Sequence, residues 1–215
     1  MIDLLLKTLL AYLIGTIMGG QIVGWLRGGI DLRTVGSGNL GATNALRTQG
    51  TSFALAVLAI DVLKGLVATL GVPTLPAVGT PLLDPASQAY LCGVAAAIGH
   101  CYPVFAGFRG GKGVATLAGV LGALLPASLP WLLGGFVLVV VLTGYVSLAT
   151  IVATLIAVLY VACFSAAGLF SGAGAFTVSM ALLVVWKHRD NIRRLLAGTE
   201  HRFEKAMVLD RWRTR

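Results

Sequence analysis

The sequence predicts an all-α fold, a polytopic membrane helical bundle of seven transmembrane helices with the N-terminus outside and the C-terminus in the cytoplasm. Three observations lead there. Of the 215 residues, 57% are apolar and only 11% are charged, a balance foreign to ordinary soluble domains. Apolar runs of the roughly 20 residues needed to cross a hydrocarbon core recur along the chain. The Lys and Arg residues, which bring the formal charge to +8, gather in alternate loops between those runs. A two-residue alternation of polar and apolar positions is absent, so helices are expected rather than a barrel.

The first run, 2–25, lacks the basic leader of a secretory signal and is followed by further apolar segments, so it is read as a retained span. The other spans are expected at 51–71, 88–106, 113–129, 131–147, 149–168 and 173–187. Pro73 and Pro76 close the second. The stretch from Pro126 to Pro130 separates the fourth from the fifth, and the glycine-rich stretch from Gly168 to Gly174 separates the sixth from the seventh. With no fixed repeat and no low-complexity tract, the chain reads as one membrane domain over 1–215 with a basic cytoplasmic tail from about residue 188.

Basic residues in short loops stay on the cytoplasmic side. Arg27, Arg33, Arg47, Arg109, Lys112, Lys187, Arg189, Arg193, Arg194, Arg202, Lys205, Arg211, Arg213 and Arg215 all fall on one side of a seven-span layout. The opposite loops, near 72–87, 130 and 168–173, carry no Lys or Arg. Lys7 alone sits on the wrong side. The positive charge thus belongs to one membrane face, where it attracts anionic lipid. Beside hydrophobic spans and without a recognised module it does not read as a nucleic-acid surface.

Three segments on the basic face combine glycines, small polar residues and cations. The first, Gly36-Ser37-Gly38-Asn39-Leu40-Gly41-Ala42-Thr43-Asn44 with Arg47, matches a G-x-G-x-x-G pattern but lacks the preceding strand of a dinucleotide fold. It reads as an anion nest: glycines let backbone N–H groups converge, Ser37 and Asn39 donate, and Arg47 adds a forked charge. The second, Gly99-His100 through Gly110-Gly111-Lys112-Gly113, resembles a phosphate-binding Walker loop. It fails that test at Ala106 and Gly113, where Gly and Ser or Thr are required. Lys112 nevertheless stands at a helix start, a place that attracts phosphate. The third, His188-Arg189-Asp190-Asn191-Ile192-Arg193-Arg194, puts His188 and Asn191 on one face if the seventh span continues into the cytoplasm. Asp61 and Lys64, three apart within the second span, are expected to pair inside the bundle. Cys92, Cys101 and Cys163 show no metal or redox spacing and read as small apolar fillers; no metal or cofactor is expected.

Taken together, these segments resemble the PlsY family of bacterial acyl-phosphate:glycerol-3-phosphate acyltransferases over nearly the whole chain. The family's patterns appear as Ser37 to Asn44 with Arg47, and as Gly99-His100 with Pro103, Phe105, Phe108 and Gly110 to Thr116. The third appears as His188 to Ile192 with Arg194-Leu195 and Gly198-Thr199-Glu200. Asp61 to Gly65 and Tyr145 to Leu148 are similar to family segments as well. Gly144 is a departure, standing where many relatives carry a basic residue.

The resemblance implies transfer of an acyl chain from acyl phosphate to the 1-hydroxyl of glycerol 3-phosphate, giving lysophosphatidic acid and phosphate at the bacterial inner membrane. It implies that Ser37, Arg47, Lys112 and Ser147 bind phosphate and that Asn39, His188 and Asn191 hold glycerol 3-phosphate. The expected catalytic residues are accordingly Ser37, Arg47, Lys112, Ser147, His188 and Asn191. The expected substrate-binding residues are Gly36, Gly38, Asn39, Gly41, Thr43, Asn44, His100, Gly110, Gly111 and Gly113. The H-x-x-x-x-D motif of coenzyme-A-dependent acyltransferases is missing, since Phe105 and Arg193 occupy the fifth positions after His100 and His188. No nucleophile–base–acid triad is evident, so the donor's own phosphate is the expected proton acceptor. A monomer, served by an enzyme that makes acyl phosphate, is the expected working form. The competing class is a transporter of organic phosphate, for which an inverted repeat and matching broken helices are the missing signs.

Overall fold

The computed structural model describes residues 1–203 and Met207. Lys205, Arg211, Arg213 and Arg215 of the basic tail lie outside the described residues. Among the described residues every regular element is helical and none is a strand. The chain forms two compact units, Met1–Pro126 and the part from Ala127 onward.

The first unit contains α1 (Ile2–Gly15), α2 (Gly19–Leu26), α3 (Ala42–Gln49), α4 (Thr51–Leu66), α5 (Pro85–Cys101) and α6 (Val114–Leu124). The first apolar run is broken between α1 and α2, which bend by 44°. α4 continues through a π-helical turn, Val67–Gly71, into a 3-10 turn that holds Pro73. α5 starts where Asp84 accepts hydrogen bonds from the Ala86 and Ser87 amides, with Pro85 in its first turn, the side chain satisfying N–H groups that no helical carbonyl can reach. Small residues set the helix spacing. A Cβ on Gly15 or Gly99 would overlap backbone of α5 or α1, and one on Gly65 or Gly119 would overlap backbone of α6 or α4. Such close approach is how helices associate where lipid removes the hydrophobic drive.

The second unit contains α7 (Leu129–Thr143), α8 (Val146–Phe164), α9 (Gly172–Lys187) and α10 (Arg189–Leu196). Gly144, at φ +73°, turns the chain from α7 into α8. Ser171 Oγ caps α9 by accepting from the Gly174 amide at 3.0 Å. The seventh apolar run does not continue as a single helix. His188, at φ −102° and ψ 7°, ends α9 and starts α10.

Burial follows lipid rather than water. Leu9, Leu63, Leu138 and Leu159 are 54%, 56%, 58% and 62% exposed, whereas Asp3, Asp61, Lys64 and Gln88 are 0%, 1%, 5% and 1% exposed. Ionisable groups at membrane depth face the interior and pair. Lys7, the exception to the charge pattern, is one of them: its Nζ lies 3.3 Å from Asp3 Oδ1 and donates to Pro73 O at 3.2 Å. It is therefore a structural group and not a loop charge.

Four stretches, Thr51–Thr74, Pro85–Ala106, Pro126–Thr143 and Val146–Phe164, are long and apolar enough to cross a membrane, and the bent pair Ile2–Gly15 with Gly19–Leu26 makes a fifth. The other two expected spans are shorter apolar helices, Val114–Leu124 and Gly172–Lys187. At 11 and 16 residues they extend about 16 and 24 Å, less than a core of about 30 Å.

Candidate active site

In the first unit the glycine loop between α2 and α3 is anchored by Leu32 and Leu40, at 0% and 1% exposure, in a core with Met18, Val23, Ala45, Phe53 and Val57. Asn44 organises it. Its Nδ2 donates to Leu32 O, Val35 O and Asn39 O at 3.0, 3.0 and 2.9 Å, and its Oδ1 accepts from the Ser37 amide at 2.9 Å. The Gly38 amide donates to Val35 O and the Gly41 amide to Asn39 Oδ1. Three of the amides expected to form an anion nest are thus committed within the loop, because closing so tight a turn satisfies backbone groups first. Gly36 and Gly38 serve the turn through positive φ, +58° and +69°. The side chains of Ser37, Thr43 and Arg47 are exposed, and Asn39 is half-buried.

The second segment lies where α5 ends and α6 begins. The Gly111 amide donates to His100 O at 3.1 Å. A Cβ on Gly110 would overlap His100 O and one on Gly111 would overlap His100 Nε2, so these two glycines let the loop lie against the end of α5. Gly113, at φ +82°, caps α6. Lys112, half-buried, stands just before that cap. His100 itself is 2% exposed. Its Nδ1 is 2.8 Å from Lys64 Nζ, 3.1 Å from Thr116 Oγ1 and 3.6 Å from Asp61 Oδ1. Lys64 and Asp61 pair at 2.9 Å, as their spacing suggests.

In the second unit Glu200 gathers the third segment. Its Oε1 accepts from Ser147 Oγ at 2.9 Å and from Asn191 Nδ2 at 2.6 Å, and its Oε2 accepts from Arg194 Nε at 2.7 Å. Burial alone would raise the carboxyl's pKa, but these hydrogen bonds and the Arg194 charge outweigh it and hold the group below the usual glutamate range. Nearby, the Phe203 amide donates to Gly144 O at 2.8 Å, and Arg202 Nε donates to the Tyr145 hydroxyl at 2.8 Å. Gly144 leaves room for Met207 and Arg202 against it. His188, 3% exposed, has Nδ1 at 2.8 Å from Val184 O. A carbonyl only accepts, so the ring proton resides on Nδ1.

Ser37, Arg47 and Lys112 therefore belong to the first unit, and Ser147, His188 and Asn191 to the second. Within the second, Ser147 and Asn191 meet on one carboxylate. Glu200 stands in the third family pattern, Gly198-Thr199-Glu200, and is one of only 8 acidic residues; the pattern alone assigns it no role, which its three donors supply. Lys64 and Thr116 likewise prove to be partners of His100.

The fold and its polar segments define a helical integral membrane protein, and comparison with known proteins gives the class. Residues 5–198 match the family model described as glycerol-3-phosphate acyltransferase. The chain is 42% identical to the glycerol-3-phosphate acyltransferase of Geobacter sulfurreducens, over 95% of this chain and 100% of that protein. It is 40% identical to that of Aquifex aeolicus, over 93% and 98%. Among solved structures it resembles PlsY, an integral membrane glycerol 3-phosphate acyltransferase, in its glycerol 3-phosphate form, with a TM-score of 0.81, 37% identity, and coverage of 93% of this chain and 95% of that one. The lysophosphatidic acid form of PlsY gives a TM-score of 0.80 at 35% identity over the same shares. The chain belongs to the PlsY family of glycerol-3-phosphate acyltransferases.

Proposed function

We propose that the protein transfers a fatty acyl chain from acyl phosphate to the 1-hydroxyl of glycerol 3-phosphate, releasing lysophosphatidic acid and inorganic phosphate as the first acylation of phospholipid synthesis. The likeness to PlsY in its glycerol 3-phosphate form supports this reading most strongly. A mixed carboxylic–phosphoric anhydride is already activated, so the protein's task is to neutralise phosphate charge and align the hydroxyl. Ser37, Arg47, Lys112 and Ser147 bind the phosphate of acyl phosphate. Asn39, His188 and Asn191 hold glycerol 3-phosphate.

Because the Ser37, Gly38 and Gly41 amides are occupied inside their loop, side chains carry the phosphate binding there. The hydroxyl oxygen attacks the acyl carbonyl carbon, the bond from that carbon to the phosphate oxygen breaks, and the hydroxyl proton passes to the departing phosphate. No enzyme base takes part in that transfer. The seven apolar segments cross the inner membrane with the N-terminus outside and the active site facing the cytoplasm, and a monomer receives acyl phosphate from a separate enzyme that makes it.

Purified protein given glycerol 3-phosphate with acyl phosphate, acyl-coenzyme A or acyl carrier protein thioester in turn tests the donor. Lysophosphatidic acid is expected from acyl phosphate alone. Equal turnover with either thioester would overturn that assignment.

A further inference from the structure

The buried group around His100 has no direct part in the chemistry above. Asp61, Lys64, His100 and Thr116 are 1%, 5%, 2% and 0% exposed. They come from three helices, α4, α5 and α6, and Lys64 also reaches the break between α1 and α2. Its ammonium has three N–H groups and three acceptors in range: Ile17 O at 2.7 Å, Asp61 Oδ1 at 2.9 Å and His100 Nδ1 at 2.8 Å. If all three are used, Nδ1 accepts, and the ring proton sits on Nε2. The charges then balance, one carboxylate against one ammonium. A protonated ring would place a second cation in the same buried volume, which is costly.

The other edge of the ring faces Gly111, where a Cβ would overlap Nε2. The backbone of the same two residues is joined as well, the Gly111 amide donating to His100 O at 3.1 Å. Lys112 follows directly. We propose that Asp61, Lys64 and His100 are positioning residues: the ion pair within the membrane-spanning helices fixes a neutral His100, and the ring and carbonyl of His100 set the Gly110–Gly113 loop from which Lys112 binds the donor's phosphate. This rests on the reading of Lys112 as a ligand of acyl phosphate, and it gives His100 a place behind the site instead of on the substrate.

His100→Phe keeps a ring against Gly111 and removes the acceptor for Lys64. Assayed in purified form with each substrate varied in turn, it is expected to raise the KM for acyl phosphate by on the order of ten-fold or more, the scale of a small misplacement of a binding group. The KM for glycerol 3-phosphate is expected to stay, while the thermal midpoint falls because the buried Lys64 ammonium loses an acceptor. An unchanged donor KM overturns the proposal, and so does a lower kcat with both KM values unmoved, which signals only a loss of active molecules. Lys112→Ala, run beside it, separates two failures. If it leaves donor KM unmoved, the ligand reading of Lys112 falls and this inference with it; if it raises donor KM while His100→Phe does not, only the positioning role falls. Nitrogen-15 spectra offer a second readout, since the chain has 3 histidines. His100 is expected as the Nε2–H tautomer in the unaltered protein, and an Nδ1–H or doubly protonated ring there would contradict the network.

Discussion

Glu200 carries the clearest consequences at the scale of single residues. Three donors converge on its carboxylate, so Glu200→Ala leaves Ser147, Asn191 and Arg194 without their shared acceptor. A stability loss on the order of 3 kcal/mol is expected, measurable as a lowered thermal midpoint in detergent. The direction of its pKa fixes the pH dependence. A carboxyl held below its unfolded value contributes stability that is present above that unfolded value and is lost as pH falls through the lower, folded one. Acid titration of the unaltered protein is therefore expected to loosen the Ser147–Asn191–Glu200 cluster only below the usual glutamate range, and Glu200→Gln is expected to remove that step. A wild-type acid profile in the Gln variant would show that the carboxylate does not govern it.

Residue roles are unevenly readable in the sequence. The pairing of Asp61 with Lys64 follows from two charges three apart in an apolar run. The convergence of Ser147, Asn191 and Arg194 on Glu200 spans separations of 53, 9 and 6 residues, and no local rule reaches across such distances.

At the scale of elements, helix contact depends on missing side chains. A Cβ on Gly119 would overlap Val62 O, whereas one on Gly134 meets nothing within 4 Å. Gly119→Val is expected to force α6 from α4 and lose about 1–3 kcal/mol, while Gly134→Ala leaves the thermal midpoint in place. Equal effects of the two would remove close packing as the cause. The apolar runs themselves are readable, because hydrocarbon length and Pro–Gly punctuation dictate them. Two features are not. The seventh span ends at Lys187 as its apolar run indicates, but the run through Val184, Trp186, Lys187 and Arg189 holds no Pro or Gly, so nothing local announces that α10 follows beyond a break at His188, whose ring lies against Val184 O. The internal bonding of the Ser37, Gly38 and Gly41 amides is equally hidden, since a glycine-rich loop reads alike whether its N–H groups face a ligand or its own carbonyls.

For the whole molecule, the proposed topology puts the 72–87 loop outside and the loop that carries Arg27, Arg33 and Arg47 inside. With the native cysteines replaced, Thr80→Cys is expected to react with a membrane-impermeant maleimide in intact cells and Thr34→Cys only after lysis. The reverse pattern would invert the proposed topology. The proposed side assignment rests on the charge asymmetry of the sequence, to which Lys7, a buried partner of Asp3, is no exception. The reaction is tested most directly in liposomes containing the purified protein, supplied with acyl phosphate and labelled glycerol 3-phosphate. Labelled lysophosphatidic acid and inorganic phosphate are expected in equal amounts from the unaltered protein, with both largely lost from folded Lys112→Ala at the same acyl phosphate concentration; label that crosses the bilayer unacylated, or full turnover by the variant, would contradict acyl transfer at this site.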